Sequence, residues 1–169
     1  MTDPILVTYA TKHWSTREVA EAITRTLAEE GLHVELEPVA GVSDLTRYQG
    51  VVLGTALYMG RAHADGRRFL RRHREALARL PVAIFGMGPL TTREDDVVGA
   101  RSQLERSLAK VPEVAPFSTA IFGGVVDPAE LHFPLSRMEP SDARDWVEIE
   151  SWAHELATAF RVREPAVVG

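Results

Sequence analysis

The chain contains no cysteine. That excludes disulfides, thiolate catalysis, and zinc or iron–sulfur centres held by cysteine. Long hydrophobic runs are missing too. No apolar stretch approaches the ~20 residues of a membrane helix, so no integral membrane segment is expected. The chain does not open on a basic region followed by an apolar run, which argues against a secretory signal and for a cytoplasmic location. Six histidines are present, but none forms an H-E-x-x-H or a helical pair, and no metal site is expected. G-x-S-x-G and Walker A loops are also absent, so hydrolase and P-loop NTPase readings have no anchor.

What is present suits a globular protein. With 169 residues, 45% apolar and 25% charged, the chain is long enough for one domain with a full core. That domain is expected over 1–160, followed by a disordered tail over 161–169, where RVREPAVVG continues Phe160 without periodicity. The net charge of −5 is unevenly spread. Arginines 61, 67, 68, 71, 72, 74 and 79 stand against Asp65 and Glu75, a local balance of +5 that leaves −10 elsewhere. An acidic remainder repels phosphate, and no aromatics interleave the basic run, so nucleic acid is not expected as a partner.

Apolar runs and helical stripes alternate from end to end. Strands are expected near 4–9, 33–38, 50–56, 81–87 and 118–124, and helices near 16–30, 65–79, 95–110 and 142–161. The second helix shows the stripe Phe69, Leu70, His73, Leu77, and the third Val97, Arg101, Leu104, Leu108. The last shows Trp146, Ile149, Ala153, Leu156, Phe160. Gly31 is placed as a C-cap, and Pro81 and Pro112 follow the next two helices. Such alternation implies an α/β fold: a doubly wound, five-stranded parallel sheet with helices on both faces. The flavodoxin-like order 2-1-3-4-5 suits this length.

Ligands in such sheets bind outside the carboxyl ends of the strands, beside the switch point. Three loops meet there. The first follows Ile5-Leu6-Val7 and brings Thr8, Thr11, Ser15 and Thr16 around a turn that leads into a helix. Ser15 and Glu18 have capping-box spacing. Backbone N–H groups and the helix dipole make this turn a candidate phosphate site over Thr11, Lys12, His13, Trp14, Ser15 and Thr16. The second, Thr55 to His63, contains Ala56, Leu57, Tyr58, Met59 and Gly60, too many apolar residues for all to point inward. It reads as a surface for a flat aromatic ligand. The third follows Met87 with Gly88, Pro89, Leu90 and Thr91, and its G-M-G lacks the third glycine of a dinucleotide fingerprint. Together the loops fit FMN, with phosphate in the first and the ring between the other two.

The run ILVTYATKHWSTREVAEAI resembles the opening of flavodoxin-like FMN-binding proteins, most of all the menaquinone-dependent protoporphyrinogen oxidase branch. VVLGTALYMGRAHADGRRFLRRH is similar to that branch's second loop and following helix, and SDARDWVEIESWAHEL to its final helix. The resemblance implies non-covalent FMN and an oxidoreductase that passes electrons from a bound substrate to an acceptor such as a quinone. A small-molecule donor or acceptor and a redox partner protein are the partners it implies. Two alternatives are an electron carrier of flavodoxin type and a flavodoxin-fold binding protein that has lost FMN. Trp14 stands where flavodoxins carry glycine, and its indole either meets the phosphate or faces solvent. Between Gly124 and Asp145 the chain has Asp127, Glu130, Glu139 and Asp142 against Arg137 and Arg144, where the resembling oxidases carry a longer basic insertion. No acid or base is demanded of the protein, and no catalytic residue is singled out.

Overall fold

A computed structural model describes residues 3–11, 14–58, 61–88, 93–126, 133, 137 and 139–163. Ile5, Leu6 and Val7 are fully buried, as a strand covered on both faces requires. They belong to β1 (Ile5–Ala10), which leads to α1 (Trp14–Glu29), β2 (Val34–Pro38) and a 3-10 turn over Val39–Gly41. Next come β3 (Gly50–Tyr58), β4 (Arg61–Ala62), α2 (Ala64–Arg72), α3 (Arg74–Leu77), β5 (Val82–Met87) and α4 (Glu94–Leu108). The chain ends on β6 (Ser118–Phe122), β7 (Val125–Val126), β8 (Ser141–Asp142) and α5 (Trp146–Arg163).

Parallel pairing gives the order β2-β1-β3-β5-β6, which is 2-1-3-4-5 when the long strands alone are counted. The short β4 turns back antiparallel on β3, and β7 pairs with β8 in a separate ribbon. Strand alternation sends Ile5, Val7, Phe85 and Phe122 to one face, under α1 and α5. Leu6, Leu53, Ile84 and Ile121 go to the other, under α2, α3 and α4. Gly31 ends α1 at φ +90°, and bonds from Gly31 N–H to Ala28 O and from Leu32 N–H to Leu27 O complete a Schellman cap.

Four expectations need correction. Helix α1 opens at Trp14, so Ser15 lies inside its first turn rather than at the cap, and Glu18 pairs with Arg144 at 3.1 Å instead. The single helix expected over 65–79 is two, broken at His73. Trp146 is 42% exposed because it opens α5 beneath the Arg144 guanidinium, 4.8 Å from the ring centroid. The buried tryptophan is Trp152, edge-on to Phe85 and Phe122, with Nε1 donating to Ser118 Oγ at 2.9 Å. Finally, α5 continues three residues past Phe160 to Arg163, and Arg161 pairs with Glu30 at 2.9 Å.

A Cβ added at Gly54 would lie 2.2 Å from Phe85 Cζ, and that ring is wedged against Phe122 and Trp152. Gly54→Ala is therefore expected to cost about 3 kcal/mol in urea unfolding, as overpacked cores do. Adding Phe85→Leu should return part of the loss, because the two sites share one space.

His73 is 8% exposed, with its ring 4.7 Å from Phe69. Burial pushes its pKa below the ordinary 6.5, Arg72 adds to this, and Asp44 opposes it. The unfolded chain thus takes the proton more readily than the folded one. This stability is complete above pH 6.5 and is lost as pH falls through the lowered folded value. Urea midpoints at pH 7.5 and 5.5 should fall further apart in the parent than in His73→Leu.

Candidate functional site at the carboxyl edge of the sheet

The carboxyl ends of β1, β3 and β5 lie side by side, Ala10 in register with Thr55 and Ala56 with Met87. Three helices begin at this edge and differ in the charge of their first turns. That of α4 holds Glu94, Asp95 and Asp96, and that of α2 holds Asp65. Helix α1 has no acidic residue in its first turn. A helix N-terminus carries partial positive charge, so α1 is the one of the three whose dipole no carboxylate offsets.

Thr16, in this turn, is fully buried, and its Oγ1 finds no hydrogen-bond partner among the described residues. Buried hydroxyls are nearly always paired, so an orphan here fits a group that arrives from outside the chain. Ser15 and Thr11 are half-buried beside it. Trp14 is 60% exposed and packs beneath the Arg17 guanidinium, 4.9 Å from its centroid, so the indole faces solvent. Thr8 does not join the other hydroxyls. It lies inside β1, fully buried, on the face of Leu6 and Ala10, and its Oγ1 likewise finds no partner among the described residues. Lys12 and His13 lie outside the described residues. The loop residues that are described thus fit the phosphate of FMN: exposed N-terminal dipole, orphaned hydroxyl, bulky side chain turned away.

The second loop is a hairpin rather than an irregular loop. Strand β3 continues to Tyr58 and returns as β4, pairing Leu57 with Ala62 and Tyr58 with Arg61. Leu57 is half-buried, and its Cδ1 lies 2.8 Å from where a Gly86 Cβ would stand. It packs against the core on the α2–α4 side. The Ala56 carbonyl accepts from His63 N–H at 2.8 Å, which closes the base of the hairpin. His63 then caps α2, its Nδ1 accepting from Asp65 N–H at 3.1 Å.

Two residues that the sequence did not single out hold this hairpin. Ala62 N–H donates to Ser107 Oγ of α4 at 3.3 Å, and Arg67 Nε of α2 donates to Ala62 O at 3.1 Å. Their one signal is composition: Ser107 is a buried hydroxyl on an otherwise apolar helix stripe. At the third loop, Gly88 adopts φ +111°, a conformation that favours glycine. Its N–H donates to Phe122 O at 3.0 Å, so this amide ties β5 to β6 and is not available to a phosphate. Met59, Gly60, Pro89, Leu90 and Thr91 lie outside the described residues. Among the described residues no group of His, Asp and Glu could hold a metal ion, and no helix is long and apolar enough to cross a membrane.

Comparison with known proteins agrees with this fold. Protoporphyrinogen IX dehydrogenase [quinone] of Escherichia coli is 21% identical over 90% of this chain and 93% of its own. Among solved structures, a flavodoxin from Pseudomonas aeruginosa superposes with TM-score 0.60 at 17% identity, covering 94% of this chain and 99% of that one. Rubredoxin oxygen:oxidoreductase from Desulfovibrio gigas matches with TM-score 0.66 at 13% identity, where 98% of this chain spans 38% of the other. The flavodoxin domain family matches residues 6–137. The chain therefore belongs to the flavodoxin domain family, whose cofactor is FMN.

Proposed function

We propose that this protein is an FMN-dependent oxidoreductase that takes electrons from a bound small molecule and delivers them to an acceptor of quinone type. The observation that carries the reading is the first turn of α1, free of acids, with the buried Thr16 hydroxyl, unpaired among the described residues, at the carboxyl end of β1. Bound FMN supplies the redox chemistry, and the chain binds, orients and shields it. In this reading Thr11, Lys12, His13, Trp14, Ser15 and Thr16 form the phosphate turn, the hydroxyls and amides donating. Ala56, Leu57, Tyr58, Met59 and Gly60 form one wall of the ring site, and Gly88, Pro89, Leu90 and Thr91 the other. Tyr58 stacks on the ring, while Leu57 supports it from below. The outward set of Trp14 takes away the steric objection to FMN and favours this reading over a cofactor-free binding protein.

Support for a quinone acceptor comes from the name of the Escherichia coli relative. A redox partner protein belongs to the same reading, which places the reaction in the cytoplasm. The segment between Gly124 and Asp145 has no basic excess. Attraction to an anionic membrane is worth about 1 kcal/mol per Lys or Arg near its surface, so this segment adds none. We accordingly read the acceptor as a soluble quinone and expect protoporphyrinogen to be a poor substrate.

The purified protein is expected to show a flavin absorption band. After anaerobic reduction, a soluble quinone should restore that band. A colourless protein that takes up no added FMN would refute the reading. Charge-assisted hydrogen bonds contribute about 1.5–3 kcal/mol each, so Ser15→Ala and Thr11→Ala should each weaken FMN binding about tenfold or more. Unchanged affinity in both would sink the phosphate placement. Stacking quenches flavin fluorescence, so Tyr58→Ala should brighten bound FMN. Equal brightness would place the ring elsewhere.

A further inference from the structure

The return strand β4 is two residues long and has two pairings to β3, Leu57 with Ala62 and Tyr58 with Arg61. A ribbon that short does not hold its own position in water. Ala62 is nevertheless 2% exposed, and both of its backbone groups are satisfied from outside the hairpin. Its N–H donates to Ser107 Oγ and its carbonyl accepts from Arg67 Nε. The Ser107 hydroxyl in turn donates to Gln103 O at 3.2 Å, which fixes its rotamer with the oxygen turned to Ala62. Ser107 is 6% exposed and stands 45 positions from Ala62 along the chain. The hairpin is therefore pinned at Ala62, by one side chain from α2 and one from α4.

We propose that Ser107 is a positioning residue for the FMN ring site. Its hydroxyl, with the Arg67 guanidinium opposite, locks β4 and thereby sets where the backbone at Tyr58 stands against the cofactor. This rests on the FMN reading above and names the residues that hold one wall of that site. Loss of the lock leaves the Ala62 N–H buried without a partner, so the hairpin shifts toward water to satisfy it.

Ser107→Ala separates this role from a general structural one. Alanine is the better helix former at the end of α4, which offsets the lost hydrogen bond, so the melting temperature should stay close to that of the parent. In the FMN-free protein the Ala62 amide should exchange its hydrogen about 3- to 10-fold faster, and FMN should dissociate faster by a similar factor. Arg67→Lys removes the fixed Nε donor and should act in the same direction. Ser107→Thr keeps the hydroxyl and should restore both values, and Ser102→Ala, exposed on the same helix, should change neither. Unaltered Ala62 exchange in Ser107→Ala overturns the lock. Faster exchange with unaltered FMN dissociation overturns its positioning role. A parent protein that takes up no FMN overturns the functional reading instead, and shows this before any substitution is made.

Discussion

Everything else in the molecule depends on β1 being held between β2 and β3 with both faces covered. Val7 pairs with Leu36 on one side and Val52 on the other, and Ile5, Leu6 and Val7 are fully buried. Burying an aliphatic side chain of this size is worth about 1.5–3 kcal/mol, so this short run alone anchors the sheet strongly. Parallel neighbours need crossovers, and right-handed crossovers put α1 on one face and α2 on the other. The chain thus leaves β1 and β3 in opposite directions. The gap between those departures is the crevice where the candidate site lies.

Within that crevice, helix charge divides the labour. The first turn of α4 holds three carboxylates and that of α2 holds one, so each satisfies its own N-terminal dipole. Helix α1 has no acid in its first turn. The acid nearest its start, Glu18, is turned aside to Arg144, which also grips Asp142 at 2.7 Å and holds that carboxyl below the usual range. Arg144 therefore does two things at once. It fastens the β7–β8 ribbon to α1, and it engages the Glu18 carboxylate that follows the first turn of α1.

The long strands were legible because a strand buried on both faces is a continuous apolar run, bounded by turn residues. Helix stripes were legible where the helix packs against the core, as Ile149, Ala153, Leu156 and Phe160 of α5 do. They misled at helix ends. Trp146 has the spacing of a core residue but precedes the point where α5 reaches the sheet, so Arg144 covers it instead. The first loop was readable as a run of hydroxyls, although not that two of them, Thr8 and Thr16, are buried with no partner among the described residues. Thr8 and Thr16 look alike in sequence, yet one sits inside β1 and the other in the first turn of α1.

Local patterns by themselves determined the fold class, the strand order suited to its length, and the three loops that meet at one edge. Those depend on periodicity and turn chemistry, which act over a few residues. The β3–β4 hairpin escaped such reading because Ala56 to Met59 is apolar throughout and shows no alternation. Its position is decided by Ser107, 45 residues from Ala62, and by Arg67 on the intervening helix. Only the folded chain brings those groups within hydrogen-bonding distance.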